Sequence, residues 1–152
     1  LRKDTLYNVV FPLWIVIFFP PFIFLVLFAN LIIDGAVIYL TLRLHKVNLE
    51  EKQLVLLILK AWGFGFVADL IGVIVMLFFV KYFNTTGYYA FENPVEAVSF
   101  IISISLAGLL IGLFNFYQCR KVIDRKAAGR VGLAMGLLTA PWMFLLPSSI
   151  LN

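Results

Sequence analysis

Cysteine, histidine and charge are all scarce in this chain, and each scarcity removes a class of protein. Cys119 is the only cysteine, so an intrachain disulfide and a thiolate metal motif are excluded. His45 is the only histidine, flanked by Arg43 and Lys46 in a basic segment, where a surface role fits better than a pH sensor or metal ligand. No H-E-x-x-H, G-x-S-x-G or phosphate loop is present, and no span holds a Cys–His or Ser–His pair. Two intramembrane aspartates would suit an aspartyl protease, but Asp34 follows Ile33, and Asp69 follows Ala68 with Gly63-Phe64-Gly65 too far upstream. The expectation is a protein that is not an enzyme and carries no cofactor or metal.

Charged residues make up only 13% of the 152 residues, against 63% apolar, and the mean hydropathy is +1.04. A soluble domain is about 25% charged and roughly 45–50% apolar. Here the charges fall in short clusters between long apolar runs, which excludes a soluble globule, a disordered tail and a coiled coil. The net charge of +4 and pI of 9.3 come from residues flanking the apolar runs and imply no nucleic-acid partner.

Spanning ~30 Å of hydrocarbon takes about 20 apolar residues. Four stretches qualify: 5–42, interrupted by Asp34; 61–80, interrupted by Asp69; 97–119; and 131–152. The first would be roughly 57 Å long as one helix, so it must break. One reading is a tight pair of spans turning at Ala29-Asn30; the other breaks at Pro20-Pro21, with an N-terminal re-entrant or interfacial segment preceding one span.

Lys and Arg in short loops stay on the cytoplasmic side. They number two at the N-terminus, four over 43–60, one over 81–96, five over 120–130 and none at the C-terminus. The paired reading puts eleven inside against one outside, the single crossing nine against three, so the paired reading is preferred. The expected architecture is a single all-α domain over 1–152, a compact bundle of five transmembrane helices at 7–28, 31–44, 61–80, 97–118 and 131–149. The alternative is four plus the N-terminal segment. The expected location is a bacterial cytoplasmic membrane, N-terminus inside and C-terminus outside.

Two N-x-x-E patterns mark helix starts. Asn93-Pro94-Val95-Glu96 opens the span after it. Asn48-Leu49-Glu50-Glu51 opens a helix whose residues 49–60 form an amphipathic cytoplasmic overhang running unbroken into 61–80. Between them, 81–91 is a turn-rich loop loaded with interfacial aromatics. Its Asn84-Thr85-Thr86 is formally a glycosylation sequon, a pattern too short to weigh.

Asp34 and Asp69 are the two carboxylates inside the predicted spans. Asp34 lies nine residues before Arg43 and Asp69 nine after Lys60, so in antiparallel helices both sit ~13 Å from the cytoplasmic surface. Two carboxylates at one depth resist carrying both charges, which is what a proton or cation site requires. Asn30 stands one turn from Asp34 on the same face, and Gly63, Gly65 and Gly72 thin the helix around Asp69. Together they suit H⁺ or a hard cation such as Na⁺. The plainer reading is an Asp–Asn hydrogen bond holding two helices together.

Small residues form two further stripes. Ala128, Gly132, Gly136 and Ala140 recur every four residues, as do Gly108 and Gly112, continued one position away by Ser99, Ser103 and Ala107. Such stripes let helix backbones approach closely, within the chain or against a second subunit. Prolines at 12, 20, 21 and 141 each free a carbonyl about one turn earlier that must be re-satisfied or line a cavity. The Arg120–Lys126 cluster reads as a topology determinant and anionic-lipid contact. Asn115 and Gln118, three apart, close the inner end of the bundle. The function expected is an oligomeric channel or ion-coupled transporter; the alternative is a non-transporting subunit that assembles with itself or another membrane protein.

Overall fold

A computed structural model describes the backbone of residues 20–87, 90–91 and 93–145, and their side chains except at 20–22, 143 and 144. The described chain is all-helical: α1 (Pro20–Leu44), α2 (Glu51–Phe83), α3 (Pro94–Cys119), α4 (Arg125–Leu138) and a 3-10 turn at Trp142–Leu145. α2 packs on α3, α3 on α4, and α1 closes the ring by touching both α2 and α4. Three helices are long and apolar enough to cross a membrane, namely α1 from Ile23, α2 and α3. Their outward faces are aliphatic and aromatic, with Phe24, Leu40, Leu70, Leu77 and Leu109 all exposed. An apolar exterior of this extent is what a lipid environment selects.

The five-span expectation is not supported, for two reasons. First, α1 runs straight through Ala29-Asn30, so the paired spans 7–28 and 31–44 do not form. Ala is the best helix former and Asn costs only about 0.7 kcal/mol beside it. A turn there would instead orphan several backbone N–H and C=O groups in a greasy run. The segment before Pro20, with Arg2, Lys3, Pro12 and any re-entrant helix, lies outside the described residues. Second, α4 has 14 residues, about 21 Å of helix, too short to cross. It starts at Arg125 and not at 131, because the Asp124 carboxylate accepts from the N–H groups of Lys126 (2.9 Å) and Ala127 (3.0 Å). Arg125, Lys126 and Arg130 are therefore helical residues. The end of the expected span, 146–149, lies outside the described residues.

Pro141 stops α4, and the carbonyl it frees is that of Leu137, four residues earlier. The Trp142 indole donates to it at 2.6 Å, and Thr139 Oγ1 donates to Met135 O at 2.8 Å. The break is thus sealed locally and leaves that carbonyl paired, which removes it as a sign of a transport pathway.

α2 runs without a break from 51 through the segment expected as an overhang into 61–80, and its start differs from expectation. The helix begins at Glu51 with Glu50 as N-cap and no side-chain bond, so the Asn48 capping box is not made. From there 33 residues run without interruption, about 50 Å, in keeping with an overhang before the span. At α3 the cap is half as expected: Asn93 Oδ1 accepts from Glu96 N–H at 2.9 Å, with Pro94 in the first turn. The reciprocal half is diverted. Glu96, completely buried, turns its carboxylate to the backbone N–H groups of Thr86 and Gly87 in the α2–α3 loop. Gly87 holds φ +70° there, a left-handed conformation that glycine adopts without strain.

Hydrogen bonds to a charged acceptor contribute about 1.5–3 kcal/mol, and stranding the two amides costs more. Glu96→Ala is therefore expected to lower the unfolding midpoint and to open the 84–87 turn to protease, read by limited proteolysis with mass mapping. Unchanged cleavage would show that the carboxylate does not hold the loop.

The principal core lies toward the basic end of the bundle, where Ile38, Leu42, Leu57, Ala61, Ile111, Cys119, Val131 and Met135 are buried together. At that end Arg130 Nη1 donates to His45 Nδ1 at 2.7 Å, tying the end of α1 to α4. A smaller cluster of Ala90, Phe100 and Ile104 closes the other end against Met76 and Leu145.

Candidate functional site

Helix side chains tilt toward their own N-terminus. α1 and α2 are antiparallel neighbours, so Asp34 leans away from the basic end and Asp69 leans toward it. Asp34 reaches α2 at Gly65, one turn before Asp69: a Cβ built there would stand 3.7 Å from Asp34 Oδ2. Asp34 is 7% exposed, with Asp69 of α2 within electrostatic reach. Asp69 is half-buried, and its Oδ1 is buried with no hydrogen-bond partner. Two carboxylates thus stand on neighbouring helices, the first of them beside a position where glycine leaves room.

Asn30 lies on α1 one turn before Asp34, half-buried, and no hydrogen bond joins it to either aspartate among the described residues. The Asp–Asn pairing is therefore not made. Above Asp34, Gly35 packs on Ile58, whose Cγ2 would be 3.4 Å from an added Cβ. The Trp62 indole donates to Leu27 O at 3.0 Å, pinning α2 to α1 on the far side of Asn30. The three glycines of α2 do different things. Gly63 faces open space, Gly65 faces Asp34, and Gly72 brings α2 against the Ser103 carbonyl of α3, 3.2 Å from an added Cβ.

The small-residue stripes meet each other. Gly108 faces Gly136 and Gly112 faces Gly132, each aiming one Cα hydrogen at the other's carbonyl. An added Cβ would stand 2.8 Å from Gly136 O at Gly108, 3.0 Å from Gly132 O at Gly112, 2.7 Å from Gly112 O at Gly132 and 2.7 Å from Gly108 O at Gly136. Ala140 closes on Gly108, its Cβ 3.0 Å from that position, and Ala128 is fully buried in the core. The glycine stripe is thus occupied by α3–α4 packing within the chain. Outside the crossing lies an open apolar cavity of ≈ 530 Å³ along Gly112, Gly129, Leu133 and Trp142.

Asn115 and Gln118 form the buried polar cluster of the bundle. Asn115 Nδ2 donates to Ile111 O at 2.9 Å, and Gln118 Nε2 donates to Asn115 Oδ1 at 2.7 Å and across to Leu57 O of α2 at 3.3 Å. Two groups escaped the sequence reading: the Glu96 latch, which looks like an ordinary capping residue, and the cap at Asp124, hidden inside a basic cluster. An aspartate directly before Arg-Lys-Ala-Ala is the signal for the second.

Among the described residues no three of His, Cys, Asp and Glu converge on a metal site. The chain is an all-helical protein whose three long apolar helices point to a membrane location, with one aspartate within each of two neighbouring helices. No family model, curated protein or solved structure matches it.

Proposed function

We propose that this is a small multi-pass membrane protein that passes a proton or a monovalent cation such as Na⁺ through a site at Asp34 and Asp69. One observation carries the reading: Asp69 Oδ1 is buried and unpaired beside a second buried carboxylate. A carboxylate that served only to hold helices together would spend its oxygens on hydrogen bonds. Asn30 completes the mouth of the site without being bonded to it. The chain acts as an oligomer in the bilayer, because the four described helices enclose little pathway of their own. The basic ends of the helices face the cytoplasm. A non-transporting subunit is the second reading, favoured by the open apolar cavity beside α3 and α4, into which a partner helix would pack.

A hydrophobic carbodiimide, which attacks protonated carboxyls from within lipid, tests the first reading. Labelling is expected at Asp34 or Asp69 with loss of ion movement, and slowed labelling in Na⁺ would identify a cation site. A label confined to the surface carboxylates, with both aspartates unmodified, would remove the basis for it.

A further inference from the structure

A second site lies at the basic end, between the start of α2 and the end of α3. It is a cavity of ≈ 360 Å³ to which Gln53, Lys60, Phe64, Gln118 and Lys121 contribute. Lys60 and Lys121 flank the apolar runs of α2 and α3, where basic residues meet lipid phosphates. Both are exposed, so neither ammonium is committed to the core.

The wall of this cavity carries an unmet demand. Gln118 is 8% exposed, and its amide orientation is dictated by its neighbours. Asn115 spends its Nδ2 on Ile111 O, which leaves Asn115 Oδ1 as an acceptor, and Leu57 O is also an acceptor. Gln118 must present Nε2 to both, so its Oε1 is left over, buried and without a partner. A buried acceptor of this kind calls for a donor. Across the cavity the two lysines call for an anion, and Phe64 offers an apolar wall.

We infer that this cavity binds the headgroup of an anionic glycerophospholipid bearing a free hydroxyl, as a glycerol headgroup does. The phosphate sits between Lys60 and Lys121, a turn of the Gln118 side chain brings its buried Oε1 to the hydroxyl, and the acyl chains run down the apolar faces of α2 and α3. Cavities of this make-up between helix ends favour such headgroups over zwitterionic ones. Arg125 and Lys126 contribute charge to the same end of the molecule but do not line the cavity.

Native mass spectrometry of the purified chain in neutral detergent tests this, titrated with phosphatidylglycerol, phosphatidylcholine or a phosphatidylmethanol. Phosphatidylglycerol is expected to be retained about tenfold better than phosphatidylcholine. Phosphatidylmethanol, with the charge but no hydroxyl, should fall between them. Lys60→Gln with Lys121→Gln should abolish the preference, and Arg125→Gln with Lys126→Gln should preserve it, all with unchanged elution on size exclusion.

Equal loss in both double variants would mean a diffuse basic surface and would overturn the site. So would equal retention of phosphatidylglycerol and phosphatidylcholine by the wild type. Equal retention of phosphatidylglycerol and phosphatidylmethanol would overturn the role of Gln118. Free sn-glycerol 3-phosphate and inorganic phosphate form the last arm. If either binds without the lipid's acyl chains and displaces it, the ligand is a soluble phosphate and the lipid assignment fails.

Discussion

Gly136→Val is expected to separate α3 from α4 and to cost the protein about 3 kcal/mol or more, the upper end for overpacking because the clash is with backbone. A Cβ at that position stands 2.7 Å from Gly108 O and 3.2 Å from Gly112 Cα, and neither atom can rotate away. The substitution also removes part of a reciprocal set of Cα–H···O contacts, each about 0.5–1 kcal/mol. Gly129→Ala is the matched control. It lies on the same helix but meets nothing within 4 Å, so the methyl should be neutral or stabilise the helix by roughly 0.5–1 kcal/mol. Cys119, the only cysteine and fully buried at the end of α3, reports both outcomes. A fluorogenic maleimide should label it at a markedly lower temperature in Gly136→Val and at the wild-type temperature or above in Gly129→Ala. Coincident labelling curves would show that the glycine crossing does not hold the bundle.

The second large effect is at Asp69, where stability and activity are expected to move in opposite directions. A carboxylate within a span costs about 2.5–3.5 kcal/mol on the insertion scale, and Asp69 Oδ1 recovers none of this through a hydrogen bond. Asp69→Leu should therefore raise the thermal midpoint while removing ion movement altogether. A structural aspartate would behave in the reverse sense, with its loss lowering the midpoint and leaving any flux intact. Asp69→Asn separates charge from shape, since the amide keeps the volume and hydrogen-bonding capacity but cannot take up and release a proton. Its expected phenotype is a folded, inactive protein.

The placing of Asp34 and Asp69 on neighbouring helices was open to sequence reasoning because each interrupts one of two successive apolar runs. A short loop makes the two apolar helices antiparallel neighbours, but Gly35 packs on Ile58, a register offset from the equal depth that the counts from Arg43 and Lys60 imply. The opposed glycine stripes were legible in the same way, since a four-residue repeat puts small residues on one face whatever the neighbour. The start of α3 was legible from Asn93 and Pro94, whose backbone preferences act locally.

Other features depend on contacts that no local pattern records. The run 5–42 is apolar on both sides of Ala29-Asn30, so hydropathy alone cannot say whether it bends there, and the charge count that favoured a bend did not weigh the backbone groups a turn would strand. Glu96 occupies the third position of a capping box and yet serves a loop nine and ten residues upstream. The proline at 141 reads as a break in a pathway until the Trp142 indole is seen to fill the vacancy it leaves. In each case the deciding term is a hydrogen bond made between elements, outside the reach of periodicity.

The most direct measurement is proton and Na⁺ flux in liposomes holding equal amounts of wild type, Asp34→Asn or Asp69→Asn, against protein-free vesicles. A flux for the wild type that falls to the vesicle baseline in Asp69→Asn, with both proteins eluting alike on size exclusion, is the result predicted for conduction through the carboxylate pair. Wild-type flux at the baseline across pH and voltage, or a flux that Asp69→Asn leaves unchanged, would contradict it.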